Sequence, residues 1–264
     1  MIGAILGDIV GSRYEFSPIK TKAFPLFGPG CAFTDDTAMT VAVARGLLAA
    51  RGDRERLPAA FAAALRQVGR AYPDVGYGRR FTQWLASDAP APYHSFGNGS
   101  AMRVSPCGFA ARSLEEAMDL AACSAAVTHD HPEGIRGAQA VAACIYLART
   151  GRSKADIRAH VERHFYPLRE SLEELRPGYS FQIGCRESVP QAIECFLEAA
   201  DVEDAIRNAV SLGGDSDTQA CIAGGIAEAF FGVPEALRRR AETYLPEEFL
   251  TTLADFSREM VGRI

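Results

Sequence analysis

The chain is poor in lysine, has one tryptophan and lacks any long apolar run. Of its 28 basic residues only Lys20, Lys22 and Lys154 are lysines, and its formal net charge is -5. A negative balance argues against an obligate nucleic-acid or anionic-membrane partner. The longest uninterrupted apolar segment, residues 140–148, is far too short to span a bilayer. We therefore expect no association with membranes.

The N-terminal residues and the cysteines indicate the compartment. The first residues lack the basic leader of a secretory signal, and Asp8 interrupts their apolar stretch. The 7 cysteines include no C-x-x-C pair, which argues against a disulfide framework or a zinc knuckle. Most of them have apolar neighbours, so we expect buried, reduced thiols. These features predict a cytoplasmic protein.

Helical periodicity dominates the rest of the sequence. Apolar residues recur every three or four positions, and alternating, strand-like runs are almost absent. Nothing rich in proline, glycine or serine divides the chain. The prediction is one compact all-α domain, a helical bundle over residues 1–264. Its clearest helices are predicted at 38–50, 58–68, 114–126, 135–149, 189–200, 202–211 and 219–231.

Two acidic clusters interrupt apolar sequence, each directly before a predicted helix. They are Thr34-Asp35-Asp36-Thr37 and Gly214-Asp215-Ser216-Asp217-Thr218. Such residues cap helix N-termini, but one cap needs only one of them. Adjacent carboxylates repel each other unless a positive charge lies between them. A site for hard divalent cations is the alternative, provided that the fold brings both helix starts together. The number of oxygen ligands would suit two ions about 3.5–4 Å apart.

Two glycine-containing loops are candidates for binding phosphate. Ser95-Phe96-Gly97-Asn98-Gly99 can turn several backbone N–H groups toward one point, and Gly76-Tyr77-Gly78 is a weaker candidate. Neither is a Walker A loop, and either could be an ordinary turn.

The N-terminal segment and the histidines offer weaker signals. Glycines at 3, 7 and 11 have the spacing that permits close helix packing, and Glu15 follows where it could reach a site. The dipeptide His129-Asp130 is also found in HD-type phosphohydrolases, but the further histidines of such a site are missing. His160 and His164 are spaced four apart, as in a metal-binding pair, although a solvated helix face explains them better.

Taken in order, these motifs resemble the ADP-ribosylglycohydrolase family. The segments that carry the resemblance are Gly3-Ala4-Ile5-Leu6-Gly7-Asp8, the two acidic clusters, Gly97-Asn98-Gly99 with Ala101-Met102-Arg103, and Thr128-His129. Together they run from residue 1 to about 231. The resemblance implies an all-α fold with a binuclear Mg²⁺ or Mn²⁺ centre in a cleft. It also implies hydrolysis of a glycosidic bond to ADP-ribose.

The resemblance further implies roles for individual residues. The positions that match metal ligands are Thr34, Asp35, Asp36, Asp215, Asp217 and Thr218. Those that match the substrate-binding loops and cleft are Gly76, Tyr77, Gly78, Ser95, Phe96, Gly97, Asn98, Gly99 and His129. Asp36 is the first candidate for the catalytic carboxylate that handles a proton. Glu15 matches a mobile glutamate of some members and is the competing candidate.

One position bears on the substrate. Arginine-specific members of the family have an aspartate where this chain has Ser95, and the loop is more similar to the serine-type branch, which cleaves O-linked ADP-ribose. The expected partner is thus an ADP-ribosylated protein or a small ADP-ribose conjugate, with a nucleic-acid adduct left open, and we expect a monomer. Two alternatives also stay open. They are a non-catalytic ADP-ribose-binding module and another binuclear metallohydrolase that acts on a small glycoside or phosphate ester.

Overall fold

A computed structural model of the chain describes residues 1–261, and within that range its regular structure is helical. Residues 262–264 of the predicted domain lie outside the described part. The helices, in chain order, are α1 (Ile2–Ser12), α2 (Asp35–Ala50), α3 (Leu57–Ala71), α4 (Arg79–Ala86), α5 (Gly99–Met102), α6 (Ser105–Ala110), α7 (Leu114–Ala126), α8 (Pro132–Arg149), α9 (Lys154–His164), α10 (Leu172–Leu175), α11 (Cys185–Leu197), α12 (Val202–Leu212), α13 (Ser216–Phe231), α14 (Glu235–Glu242) and α15 (Glu247–Phe256), and a π-helical turn (Ser257–Val261) follows. The predicted all-α class is confirmed.

Two helices begin earlier than the sequence pattern predicts. Helix α2 was expected to begin near residue 38 but begins at Asp35, and α13 was expected near residue 219 but begins at Ser216. Acidic and hydroxyl residues are favourable in the first turn of a helix, because its free N–H groups and dipole attract them. The acidic clusters therefore form the first turns of these helices instead of preceding them.

Helix α13 lies at the centre of the fold and packs against α1. Every residue from 216 to 227 is buried, as is every residue from 2 to 11 of α1. A Cβ atom added to Gly7 would lie 1.9 Å from the carbonyl oxygen of Ala220, so the two backbones touch there. Gly3 and Gly11 meet α13 in the same way, which confirms the prediction of close helix packing from the glycine spacing.

The remaining features of the chain lie around this centre. All seven cysteines are free and five are buried, as expected for reduced thiols. Over the described residues, no helix combines the length and apolar character that a bilayer crossing requires. His160 and His164 stack on one another on α9, with ring centroids 4.6 Å apart, and His164 is exposed. Within residues 1–261 they belong to no group of possible metal ligands.

Candidate active site

The two acidic clusters meet at the N-termini of α2 and α13. The hydroxyl of Thr218 donates a hydrogen bond to Oδ2 of Asp36 at 3.1 Å, across 182 positions of the sequence. Carboxylate oxygens of Glu15, Asp215 and Asp217 also lie within 4.8 Å of one another. The prediction that the two distant helix starts come together is confirmed.

Asp8 of α1 is a third contributor; the sequence analysis includes it in a segment that carries the family resemblance but gives it no role in the site. Its carboxylate is completely buried. It accepts hydrogen bonds from the backbone N–H and the hydroxyl of both Thr34 and Thr37, the two threonines that flank the aspartate pair. One of its oxygens also lies within 4.8 Å of oxygens of Asp36 and Asp217. Three of these hydrogen bonds go to Oδ2 and one to Oδ1, so Asp8 positions the start of α2 and keeps acceptor capacity on Oδ1.

Capping explains one of the two acidic helix starts but not the other. The hydroxyl of Thr34 accepts a hydrogen bond from the N–H of Asp36 at 3.3 Å and so caps α2. At α13 the N-cap residue, Asp215, makes no such bond with its side chain. Its Oδ2 instead accepts a hydrogen bond from the side-chain amide of Asn98, at 2.7 Å. The carboxylate of Asp215 is thus turned toward Asn98 in the cleft, whereas Oδ1 of Asp217 accepts a hydrogen bond from the N–H of Thr218 in its own helix, at 3.0 Å.

The acidic groups are too crowded to be ionised together. Burial raises the pKa of Asp35, Asp36 and Asp217 well above the usual range, and the charges of neighbouring carboxylates raise it further. Burial also raises the pKa of Asp215 to about 6. The pKa of the half-buried Glu15 rises to about 8, first through burial and then through the charges of Asp217 and Asp8. A cation among these groups would remove the repulsion and favour their charged forms.

The donor set fits a hard divalent cation. Oδ1 of Asp36 is buried and has no hydrogen-bond partner among the described residues. A buried carboxylate oxygen without a partner is costly unless a cation or a water molecule satisfies it. Carboxylate and hydroxyl oxygens, with no cysteine or histidine among them, are the ligands that Mg²⁺, Mn²⁺ and Ca²⁺ prefer.

The acidic groups line a cleft of about 470 Å³. Both predicted phosphate-binding loops border it. Ile183 accepts a hydrogen bond from the N–H of Asn98 at 2.8 Å, and an isolated antiparallel bridge joins Gly97 to Gly184, so the loop is held against the segment that precedes α11. At the other loop, the N–H of Asp35 donates to Val75 at 2.8 Å, and Gly76 has a φ of 103°, which favours glycine.

Most of the predicted site residues line this cleft. Those that do are Glu15, Asp35, Asp36, Gly76, Gly78, Ser95, Gly97, Asn98, Gly99, His129, Asp215, Asp217 and Thr218.

Three of the predicted residues do not line it. The hydroxyl of Thr34 is bonded to Asp8, 2.6 Å away. The ring of Tyr77 packs on Phe81 instead, with centroids 5.2 Å apart. Phe96 turns outward and is 52% exposed. The roles predicted for these three residues stay predictions.

His129 is held by a chain of hydrogen bonds that starts from Arg103. The guanidinium of Arg103 donates to the hydroxyl of Thr128 at 2.8 Å, and that hydroxyl lies 2.7 Å from Nδ1 of His129. Because arginine only donates, the Thr128 hydroxyl is free to give its proton to Nδ1. Nε2 then carries the ring proton and faces the loop, where a Cβ added to Gly99 would lie 3.3 Å away. Burial, followed by the charges of Arg103 and Arg80, lowers the pKa of His129 well below its usual value, so the ring is a neutral donor.

Arg103 is a buried cation that sequence reasoning did not single out, although it ends the motif Ala101-Met102-Arg103. Its side chain is 1% exposed and lines the cleft, and its Nε has no partner among the described residues. Burial lowers its pKa to about 10, so it remains charged at neutral pH. Its charge partly balances that of the carboxylates, Asp35 among them.

The HD-type interpretation of His129-Asp130 finds no support in this geometry. Nδ1 of His129 is occupied by Thr128, and Asp130 accepts a hydrogen bond from the backbone N–H of His94 at 2.6 Å. The two side chains therefore bond to different neighbours and do not act together as ligands of one metal ion.

Comparison with known proteins identifies the family. The family model described as ADP-ribosylglycohydrolase matches residues 1–263. The ADP-ribosylhydrolase ARH3 of Bos taurus is 30% identical over 92% of this chain and 88% of its own length. The ADP-ribosylarginine hydrolase Tri1 of Pseudomonas putida (strain GB-1) is 27% identical over 88% of this chain and 70% of its own length. A solved structure described as an ADP-ribosylglycohydrolase-related protein complex has the same fold, with a TM-score of 0.72, 24% identity and coverage of 98% and 97% of the two chains.

This chain belongs to the ADP-ribosylglycohydrolase family, a family of hydrolases that act on the glycosidic bond of ADP-ribose. The resemblance found in the ordered motifs is thereby confirmed, and the acidic clusters that meet in the cleft are consistent with a metal-dependent member.

Proposed function

We propose that this protein releases ADP-ribose from an O-linked conjugate, with a modified serine side chain preferred to a modified arginine, and that two Mg²⁺ or Mn²⁺ ions serve as its cofactors. The observation that carries the proposal is the position of Asp217. Its carboxylate belongs to two groups of possible ligands, one with Asp8 and Asp36 and one with Glu15 and Asp215. A carboxylate that two groups of ligands share can hold two ions close together.

The residues that would hold the ions are Asp35, Asp36, Asp215, Asp217 and Thr218, while Asp8 and Thr34 would keep the first turn of α2 in place. When bound, such ions supply positive charge that neutralises the carboxylates and orients the hydroxyl groups of a sugar. Proton transfer falls to the protein. Glu15 is better placed for it than Asp36, because Glu15 is only half buried and lines the cleft. Asp36 is fully buried and already accepts a hydrogen bond from Thr218.

The part of the cleft formed by the loop at residues 95–99 and His129 suits a diphosphate. His129 offers a neutral N–H donor beside Gly97 and Gly99, where no Cβ atom stands in the way. Arg103 adds a positive charge that is already desolvated. We infer that these groups hold the diphosphate, so that the ribose at its far end lies among the carboxylates. Fixing the substrate in this way aligns the anomeric carbon with the proton-transferring residue.

The preference for serine over arginine is supported by Ser95. Its hydroxyl accepts a hydrogen bond from the N–H of Gly97 at 3.2 Å, and the side chain lines the cleft without a negative charge. An aspartate at this position would pair with a guanidinium, whereas a serine offers no such partner.

A substrate panel tests the proposal. The purified protein with Mg²⁺ would be offered peptides ADP-ribosylated on serine or on arginine and an ADP-ribosylated nucleic-acid end, and released ADP-ribose would be measured by mass spectrometry. We expect release from the serine peptide at least about tenfold faster than from the arginine peptide. Asp36→Asn should abolish release while the helical circular dichroism persists. Equal or faster release from arginine would overturn the preference. ADP-ribose binding without release from any conjugate would favour a binding module.

A further inference from the structure

Exposed apolar side chains gather at the mouth of the cleft. Phe16 is 83% exposed, Ile183 60% and Phe181 44%, and all three line the cleft. The rings of Phe16 and Phe181 stack with their centroids 6.4 Å apart and an interplanar angle of 23°. Isolated exposed apolar residues need no explanation, but a contiguous group beside a cleft marks a binding surface. We call the stacked pair, Phe16 and Phe181, the apolar rim, since Ile183 lies instead against the Gly97-Asn98 loop, where its carbonyl accepts the Asn98 N–H.

The apolar rim lies beside Glu15, because Phe181 stacks on Phe16. Phe16 directly follows Glu15, the residue proposed to transfer the proton, and Phe181 comes from the segment between α10 and α11. The bond that is cleaved must lie within reach of Glu15. The group attached to the ribose therefore leaves the cleft next to Phe16.

We propose that the apolar rim binds a hydrophobic residue next to the modified side chain of a substrate polypeptide. This inference rests on the proposed function, because it takes the surroundings of Glu15 as the place where the attached group emerges. The rim side chains carry no charge, and their exposed rings can bury apolar surface only against a partner. Aromatic rings with few rotatable bonds lose little conformational entropy when they do so. The rim would thus select among peptides that carry the same modification.

Two peptides with the same ADP-ribosylated serine test the inference. In one peptide the serine has a leucine on each side. In the other peptide it has an asparagine on each side, which is similar in size to leucine but polar. Binding would be measured by calorimetry in an Asp36→Asn background, so that no turnover interferes, and kcat and KM would be measured in proteins with Asp36 intact. The variants are the double substitution Phe16→Ser with Phe181→Ser, and the control Phe231→Ser, which removes an exposed phenylalanine outside the cleft.

We expect the leucine peptide to bind about tenfold more tightly, as partial burial of leucine predicts, with the difference in KM and not in kcat. The double variant should bring the ratio to within about twofold of one, while Phe231→Ser should keep the full difference. Equal dissociation constants in the parent protein, or a preference that survives the double substitution, would overturn the inference. A binding preference without cleavage of either peptide would refute serine-linked hydrolysis and still support the rim.

Discussion

Replacing Asp215 by asparagine should stabilise the protein without metal and destabilise it with metal. Burial raises the pKa of Asp215 from 3.8 to about 6. A buried acid with a raised pKa binds its proton more tightly in the folded state, so its contribution to stability falls as the pH rises above the unfolded value. For these two pKa values the penalty grows from on the order of 1–2 kcal/mol at pH 5 to about 3 kcal/mol at pH 8.

The amide of asparagine carries no charge and avoids this penalty, and its oxygen can still accept the hydrogen bond from Asn98. In EDTA at pH 8 we expect the melting temperature of Asp215→Asn to exceed that of the parent protein by at most about 5–10 °C. At pH 5 the difference should be smaller. In Mg²⁺ the order should reverse, because the parent protein gains binding energy that the variant cannot. Differential scanning calorimetry of both proteins, each in EDTA and in Mg²⁺, at pH 5 and at pH 8, measures these differences.

Asp204→Asn is a matched control. Asp204 also stands in the first turn of a helix, α12, but its pKa is lowered because it accepts hydrogen bonds from Lys22 and Ala200. Its replacement should lower the melting temperature by the same amount with and without Mg²⁺. The reasoning fails if Asp215→Asn lowers the melting temperature in EDTA at pH 8, or if added Mg²⁺ changes neither protein.

Two further variants probe how the site is built. Gly7→Ala should cost about 1–3 kcal/mol, because its Cβ would lie 1.9 Å from a backbone oxygen of α13. Thermal melting checks this value, with Gly178→Ala, in open space, as the neutral control; equal melting temperatures of the two variants would contradict the packing argument. Thr128→Val should release His129 from its single tautomer, whereas Thr128→Ser should retain it. Nitrogen-15 NMR of the ring distinguishes the forms, and an Nδ1-protonated ring in the parent protein would refute the hydrogen-bond chain.

The helical class and the meeting of the two acidic clusters were predictable because each leaves a local signal. Helical spacing repeats over many turns, and the aspartates at 35, 36, 215 and 217 stand out against apolar neighbours. The exact helix starts were missed, because the same side chains favour an N-cap and a first turn almost equally.

Asp8, Arg103 and the apolar rim could not be recognised in the same way. A lone aspartate in an apolar helix has no local pattern of its own, and its role depends on the threonines that α2 brings to it. The role of Arg103 depends on its hydrogen bond to Thr128, which lies 25 positions away in the sequence. The contact between Phe16 and Phe181 depends on the path of the segment before α11, which no periodicity describes.

The contact between α1 and α13 also bears on when, during its synthesis, the protein can bind metal ions. Asp8 is made early, but Asp217 and Thr218 follow more than 200 residues later, and both ends must be joined before the carboxylates converge. A chain still emerging from the ribosome, or a fragment cut anywhere between these helices, holds only half of the ligands. Ion uptake would therefore report completed folding, because contacts so distant in sequence close late.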